Sequence, residues 1–316
     1  MSSVIISRSP HLSFSATSRA SAGVNSRSSS DLIPELASGA LQWYRTHAML
    51  VFAVTLIAAF TVETARQMWK RRNVDLTSTT TSVVSAGSFL LVKTAFGKLV
   101  MLSLSLWIYE NHRMTTLNVA NPLVWLGVFL LRDAIYYWEH RAEHSVRLLW
   151  ASHMVHHSPT TIGFTTAIRV PWMEALYKPW LGLWVPLIGF HPLAFVTLDV
   201  LAATIGQLQH TTACRKRTIL DAVFVTPSAH RVHHGSNPQY IDRNFGAVLI
   251  VWDRLFGTYT PETVTPVYGI GTKSAITSPS EALVGGYPKL FAAARQVVGE
   301  TGSLRTGASY LVAPPA

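Results

Sequence analysis

The chain has 316 residues, 49% of them apolar and only 13% charged, with a formal net charge of +10 and a single cysteine, Cys214. Soluble domains carry about 25% charged residues, so this balance argues against one and points to a membrane protein. One cysteine excludes an internal disulfide. The basic excess is not a nucleic-acid signature either, because Arg66, Lys70, Arg71, Arg72 and the Arg215-Lys216-Arg217 trio lie beside apolar segments, where the positive-inside rule and anionic headgroups account for them.

Residues 1–40 are serine-rich, with no acid before Asp31. That composition cannot build a core and reads as a disordered tail, similar to an organellar transit peptide in lacking acids. Four apolar stretches follow: residues 48–62, flanked by Trp43, Tyr44 and Trp69, then 83–107, 124–138 and 176–208. A span needs about 20 apolar residues, so the last is expected to enter and return, turning near Gly189 and Pro192. Lys93 and Lys98 fall inside the second stretch and must face protein or snorkel. The predicted architecture is all-α, an integral membrane helical bundle occupying residues 41–274. Residues 275–316 read as a loose, partly helical tail.

Polar segments 139–174 and 209–265 hold His140 and His144, the block HMVHH (His153, His156, His157), His210, and the block HRVHH (His230, His233, His234). Helical residues advance by about 100°, so i and i+4 share a face and each block can present at least two imidazoles from one turn. Imidazole is the commonest protein metal ligand. The two blocks with His140 and His144 supply more imidazoles than the four or so of a structural zinc site, which implies two metal ions. The expected result is a histidine-rich helical cap holding a dimetal site. If residues 109–120 lie outside and the basic 66–72 loop inside, the cap is cytoplasmic. His11, His47, His112 and His191 read as structural, and Cys214, four residues after His210, as a plain thiol. Asp133, two turns before His140 on the same face, is expected to accept the second N–H of a ligating imidazole and fix its tautomer.

The stretches RDAIYYWEHRAEHSVRLLWASHMVHHS and TPSAHRVHHGSNPQYIDRNFGAVLIVWDRLFGTY resemble the sterol desaturase and fatty acid hydroxylase superfamily of membrane di-iron enzymes, nearest to its alkylglycerol monooxygenase and sterol desaturase branches. The resemblance covers roughly residues 121–265. It implies metal ligation by His140, His144, His153, His156, His157, His230, His233 and His234, with His210 as an additional histidine of the pattern. It also implies two iron ions, zinc being a possible substitute, and dioxygen. The expected activity is hydroxylation or desaturation of a membrane lipid: a sterol, a fatty acyl chain or an ether lipid. No G-x-G-x-x-G fingerprint is visible, so electrons must come from an external donor: a reductase, a small redox carrier or a reduced pterin. Having histidines instead of bridging carboxylates is expected to leave little compensating negative charge. The chain departs from its relatives at residues 158–163, SPTTIG, and at Ala229, often histidine there. Trp172, Trp180, Trp184 and Phe195 are candidate channel walls, and Asn244, Trp252 and Asp253 supporting residues. The membrane would be the plasma membrane in a bacterium or the endoplasmic reticulum in a eukaryote. The competing reading, a metal transporter or storage protein, would require ligands near the bilayer midplane, whereas these lie beyond the apolar segments.

Overall fold

The computed structural model describes residues 75–214, 218–270 and 276–315, with a few isolated positions between 47 and 65. The expectations for residues 1–40, the first apolar stretch and the basic runs 66–72 and 215–217 lie outside the described residues, as does the Lys98 side chain. Among the described residues the protein is all-helical, with no strand and only two isolated bridges, Phe224 to Leu249 and Gly235 to Tyr268.

Helix α1, Leu76–Val92, begins where the Asp75 carboxylate accepts a hydrogen bond from the Ser78 amide. It continues without a break through a π-helical segment, Lys93–Leu102, into α2, Ser103–His112. The 37-residue rod is apolar and only 6% of its most apolar window is buried, with Leu91, Leu99 and Trp107 projecting outward. Such a surface is costly in water and fits a lipid environment. A second helix long and apolar enough to cross a membrane is α5, Pro192–Gln209. Between them come α3, Pro122–Ser145, and α4, Arg147–His157. The expected span at 124–138 falls within α3, which is not a candidate span, because Arg132, Asp133 and Glu139 interrupt its apolar run and are buried in protein.

The hairpin expected within 176–208 forms, with its turn at Gly189, φ 113°. Its first limb is not one helix. It is a series of short turns, Glu174–Tyr177, Lys178–Gly182 and Val185–Ile188, broken at Pro179 and Pro186, which cannot donate to a helical ladder. The Met114 and Leu117 amides donate to the Leu187 and Gly189 carbonyls at 2.7 and 3.2 Å. Residues 114–117 and the hairpin turn therefore share one end of the bundle. At the other end α3 and α5 stop at the histidines, and the buried Arg169 guanidinium donates to Ser78 O and Oγ and to Ser82 Oγ, fastening the start of α1 beside them. Lys93 lies 3.5 Å from Asp199, which also pairs with Arg132 at 2.9 Å, so this lysine faces protein.

After α5 come α6, Pro227–His233, and α7, Val251–Leu255. The segment expected as a loose, partly helical tail forms three helices, α8 (Pro279–Val284), α9 (Tyr287–Thr301) and α10 (Leu304–Val312), and is docked on α4 and α1 rather than loose. The Gly286 amide donates to Ala151 O at 2.6 Å, Arg147 N to Ala313 O at 3.0 Å, and the Trp172 indole to Leu283 O at 2.9 Å. The docking needs glycine at 285, where φ is +56° and a Cβ would stand 2.4 Å from Ala151 O. Gly285→Ala is therefore expected to cost about 1 kcal/mol or more. In detergent it should lower the melting temperature and speed proteolysis within residues 276–315; an unchanged melt and cleavage pattern would contradict this docking.

Candidate metal centre

Nine histidines from four elements meet at one end of the bundle. His140 and His144 stand one turn apart at the end of α3; His153, His156 and His157 end α4; His210 is the C-cap of α5; His230, His233 and His234 close α6. Their ligand atoms form two groups, each within 4.8 Å: His140, His144, His153, His157 and His233, and His156, His210, His230 and His234. The helical period explains the split. In HMVHH the i, i+4 pair enters the five-histidine group and the i+3 residue the other; in HRVHH the assignment is reversed. Each block thus spans both groups.

The hydrogen bonds fix the state of these rings. The Nδ1 atoms of His140, His156, His210 and His233 lie 2.8–3.2 Å from the carbonyls of Phe245, Arg169, Gly206 and Arg243. Those of His144 and His153 lie 3.2 and 3.0 Å from the carboxylates of Asp242 and Glu174. A carbonyl or carboxylate oxygen only accepts, so each Nδ1 must carry the proton and each Nε2 presents a lone pair. Those lone pairs face one another: His140 Nε2 is 3.1 Å from His153 Nε2, and His156 Nε2 is 3.3 Å from His210 Nε2. Neither pair can be a hydrogen bond. His144 Nε2 is buried with no hydrogen-bond partner. Nitrogens bound about 2.1 Å from one cation at angles between square and tetrahedral would lie about 3.0–3.4 Å apart, so the donor set fits metal ions. Burial, then mutual repulsion among the imidazoles, pushes the pKa values of His153, His157, His230 and His234 well below the ordinary range and keeps the rings neutral, as ligands must be.

Sequence reasoning missed the carboxylates. Beyond His153 lies a buried ionic cluster in which Lys178 Nζ is 3.0 Å from Glu139, 3.2 Å from Glu143 and 2.8 Å from Glu174. Glu143 Oε2 sits 3.4 Å from His153 Nδ1 without taking a hydrogen bond, and the Tyr177 hydroxyl donates to its other oxygen. Two buried acids, Glu143 and Glu174, thus lie within 3.4 Å of one imidazole, which the expectation of little compensating negative charge did not include. The available signal was helical spacing, with Glu139 and Glu143, and Glu174 and Lys178, at i, i+4 in a chain poor in charge.

Asp133 is placed differently from the expectation. It is fully buried and accepts from the Val248 and Leu249 amides and the Trp252 indole, each at 3.0 Å, and from no imidazole. The rings that share its helical phase, His140 and His144, are held instead by Phe245 O and Asp242. Shared helical phase put Asp133 on the correct face, but the loop after Phe245 lies against that face and its unpaired donors claim the carboxylate. Asp253 holds the loop's other end through the Phe245 and Gly246 amides at 2.7 and 2.8 Å. Asn244, at φ 56°, bonds Ala229 O and both backbone groups of Thr260. Asp133, Trp252, Asp253 and Asn244 thus act together as the clamp on the loop that carries Phe245 O and Arg243 O to His140 and His233.

The remaining sequence candidates lie apart from the centre. Cys214 is exposed, His112 is exposed beside Trp107, and His191 caps α5 by accepting from the Leu193 amide. Trp172 is tied to the C-terminal helices, Trp180 and Trp184 are about half exposed, and Phe195 covers Gly182.

Because Asp133 receives three donors, Asp133→Asn must turn its amide N–H₂ toward at least one of them. A buried donor left unpaired costs about 1–3 kcal/mol. The variant should melt at a lower temperature. Direct 15N resonances of His140 should still report a protonated Nδ1; loss of that proton would restore the direct contact.

Residues 125–258 match the fatty acid hydroxylase family. The alkylglycerol monooxygenase of Xenopus tropicalis is 33% identical over 228 residues, 72% of this chain and 50% of that protein. That of Homo sapiens is 35% identical over 188 residues, 59% of this chain and 42% of that protein. The ornithine lipid hydroxylase of Rhizobium tropici is 32% identical over 136 residues, 42% of this chain and 40% of that protein. The chain spans half or less of the length of these relatives. No solved structure matches it. The matched segment contains all nine clustered histidines and the clamp that orients them, so the part of the chain that carries the site is a fatty acid hydroxylase domain.

Proposed function

We propose that the protein is an O2-dependent, non-haem di-iron oxygenase that hydroxylates a membrane lipid, with alkylglycerol ether lipids the first class to test. The observation that carries this reading is the convergence of bare Nε2 lone pairs in two adjacent groups, His140, His144, His153, His157 and His233 beside His156, His210, His230 and His234. The relatives' names supply the substrate class: four are alkylglycerol monooxygenases and one hydroxylates an ornithine lipid.

Two irons held there would supply what no side chain can, reductive activation of dioxygen for attack on an unactivated C–H bond. The chain's own residues do the rest. Carbonyls and carboxylates on Nδ1 keep the imidazoles neutral and aimed, and burial keeps bulk water from the ring nitrogens. The exposed apolar surfaces of α1, α2 and α5 embed the bundle so that a lipid tail can approach from the bilayer without crossing water. The protein is multi-pass in this reading, with the histidine end on the cytoplasmic side, where a reductase, redox carrier or reduced pterin can deliver electrons. A transporter would expose its ligands to a path through the membrane midplane, whereas these lie buried beyond the end of α5.

Protein purified anaerobically with iron should contain close to two metal ions per chain by elemental analysis, and His210→Ala with His230→Ala should lower this to one. Membranes containing the wild-type protein should consume dioxygen and convert added alkylglycerol to an oxidised product when given reduced pterin or a reductase, and His157→Ala should abolish both. Two bound irons without lipid-dependent oxygen consumption would refute the oxygenase reading.

A further inference from the structure

Resting on that two-metal reading, we propose that the two groups are unequal: the five-histidine group holds its ion more tightly because Glu174 backs His153, and the four-histidine group carries the exchangeable ion. In the five-histidine group, His153 Nδ1 donates to a carboxylate that is itself buried and fixed by Lys178 at 2.8 Å, with Glu143 Oε2 3.4 Å away. The Glu174 carboxylate that accepts from Nδ1 raises the donor strength of this imidazole. Asp242 does the same for His144, more weakly, because it is 59% exposed and screened by solvent.

In the four-histidine group no imidazole donates to a carboxylate among the described residues. His156 and His210 donate to neutral carbonyls, Arg169 O and Gly206 O. Glu262, beside α6, is engaged by Arg231 at 2.6 Å and by Ser228 at 2.8 Å. A carboxylate behind an imidazole strengthens its binding of a dication. With one donor fewer, the four-histidine ion also keeps more positions for exchangeable ligands. Glu174 is thus a positioning residue, acting on one ion through His153.

The test is metal release from the purified holoenzyme, loaded with two zinc ions and challenged with excess chelator, followed by elemental analysis. Wild type should lose one ion quickly and the second at least about 10-fold more slowly. Glu174→Gln, which keeps size and an accepting oxygen but removes charge, should speed the slow phase alone by about 10- to 100-fold, with far-UV circular dichroism and the fast phase unchanged. His210→Ala should hold one ion and release it at the slow wild-type rate. This arm decides the matter even if Glu174→Gln does not fold. Release of both ions in one phase, or fast release from His210→Ala, would overturn the inequality while leaving two metals. A wild-type total of one ion would instead overturn the two-metal reading.

Discussion

An imidazole has two nitrogens, and the site depends on what is done with the one that faces away from it. Giving Nδ1 to an acceptor settles the tautomer, fixes the ring plane and leaves Nε2 as a lone pair. The acceptors come from sources a helix pair alone cannot provide. Gly206 O is one of the last-turn carbonyls of α5, which helix geometry leaves unpaired, and His210 satisfies it from the C-cap. Arg243 O and Phe245 O belong to an irregular loop whose own amides must be paired before its carbonyls can be held still. Asp133 and Asp253 do that from opposite ends. The centre is thus a problem in backbone accounting, solved by two buried aspartates that touch no imidazole.

Charge is scarce in this chain, and where it is buried it is grouped. Lys93, Arg132 and Asp199 join the π-helical segment, α3 and α5; Lys178 joins the short helices before the hairpin to the two glutamates of α3. Separating the members of such a group would leave a charge without its partner, which is expensive. Each cluster therefore penalises any sliding of one helix past another, which would strand a charge. That matters in an apolar bundle, where Leu against Leu offers little preference for one register over the next.

The helical class and the histidine set were legible because spacing and residue type carry them directly. His140 with His144, and the two H-x-x-H-H blocks, land together as the helical period requires. What was not legible depends on tertiary contact. Nothing local to Asp133 reveals that residues 248–252 will lie against it, and the acids behind His153 come from two separate segments. The apolar run at 124–138 had the composition of a span, yet its helix carries Arg132, Asp133 and Glu139 buried against protein while Leu123, Leu126 and Leu130 stay exposed. Residues 276–315 lack a long apolar stretch, but short amphipathic helices suffice when a preformed surface, here α4, receives them.

The clamp on the loop also sets a schedule. The His140 ring waits for a carbonyl 105 residues further along the chain, and the loop bearing that carbonyl is secured by Asp253. During synthesis, the first two histidines leave the ribosome long before anything can orient them. Both histidine groups stay unformed until residue 253 has emerged, so any metal they hold must be delivered after that point in synthesis. Until then the histidine-rich segments are open to any transition metal that strong imidazole binding favours, which makes the order of assembly and the metal supply at that moment part of how the right ion is chosen.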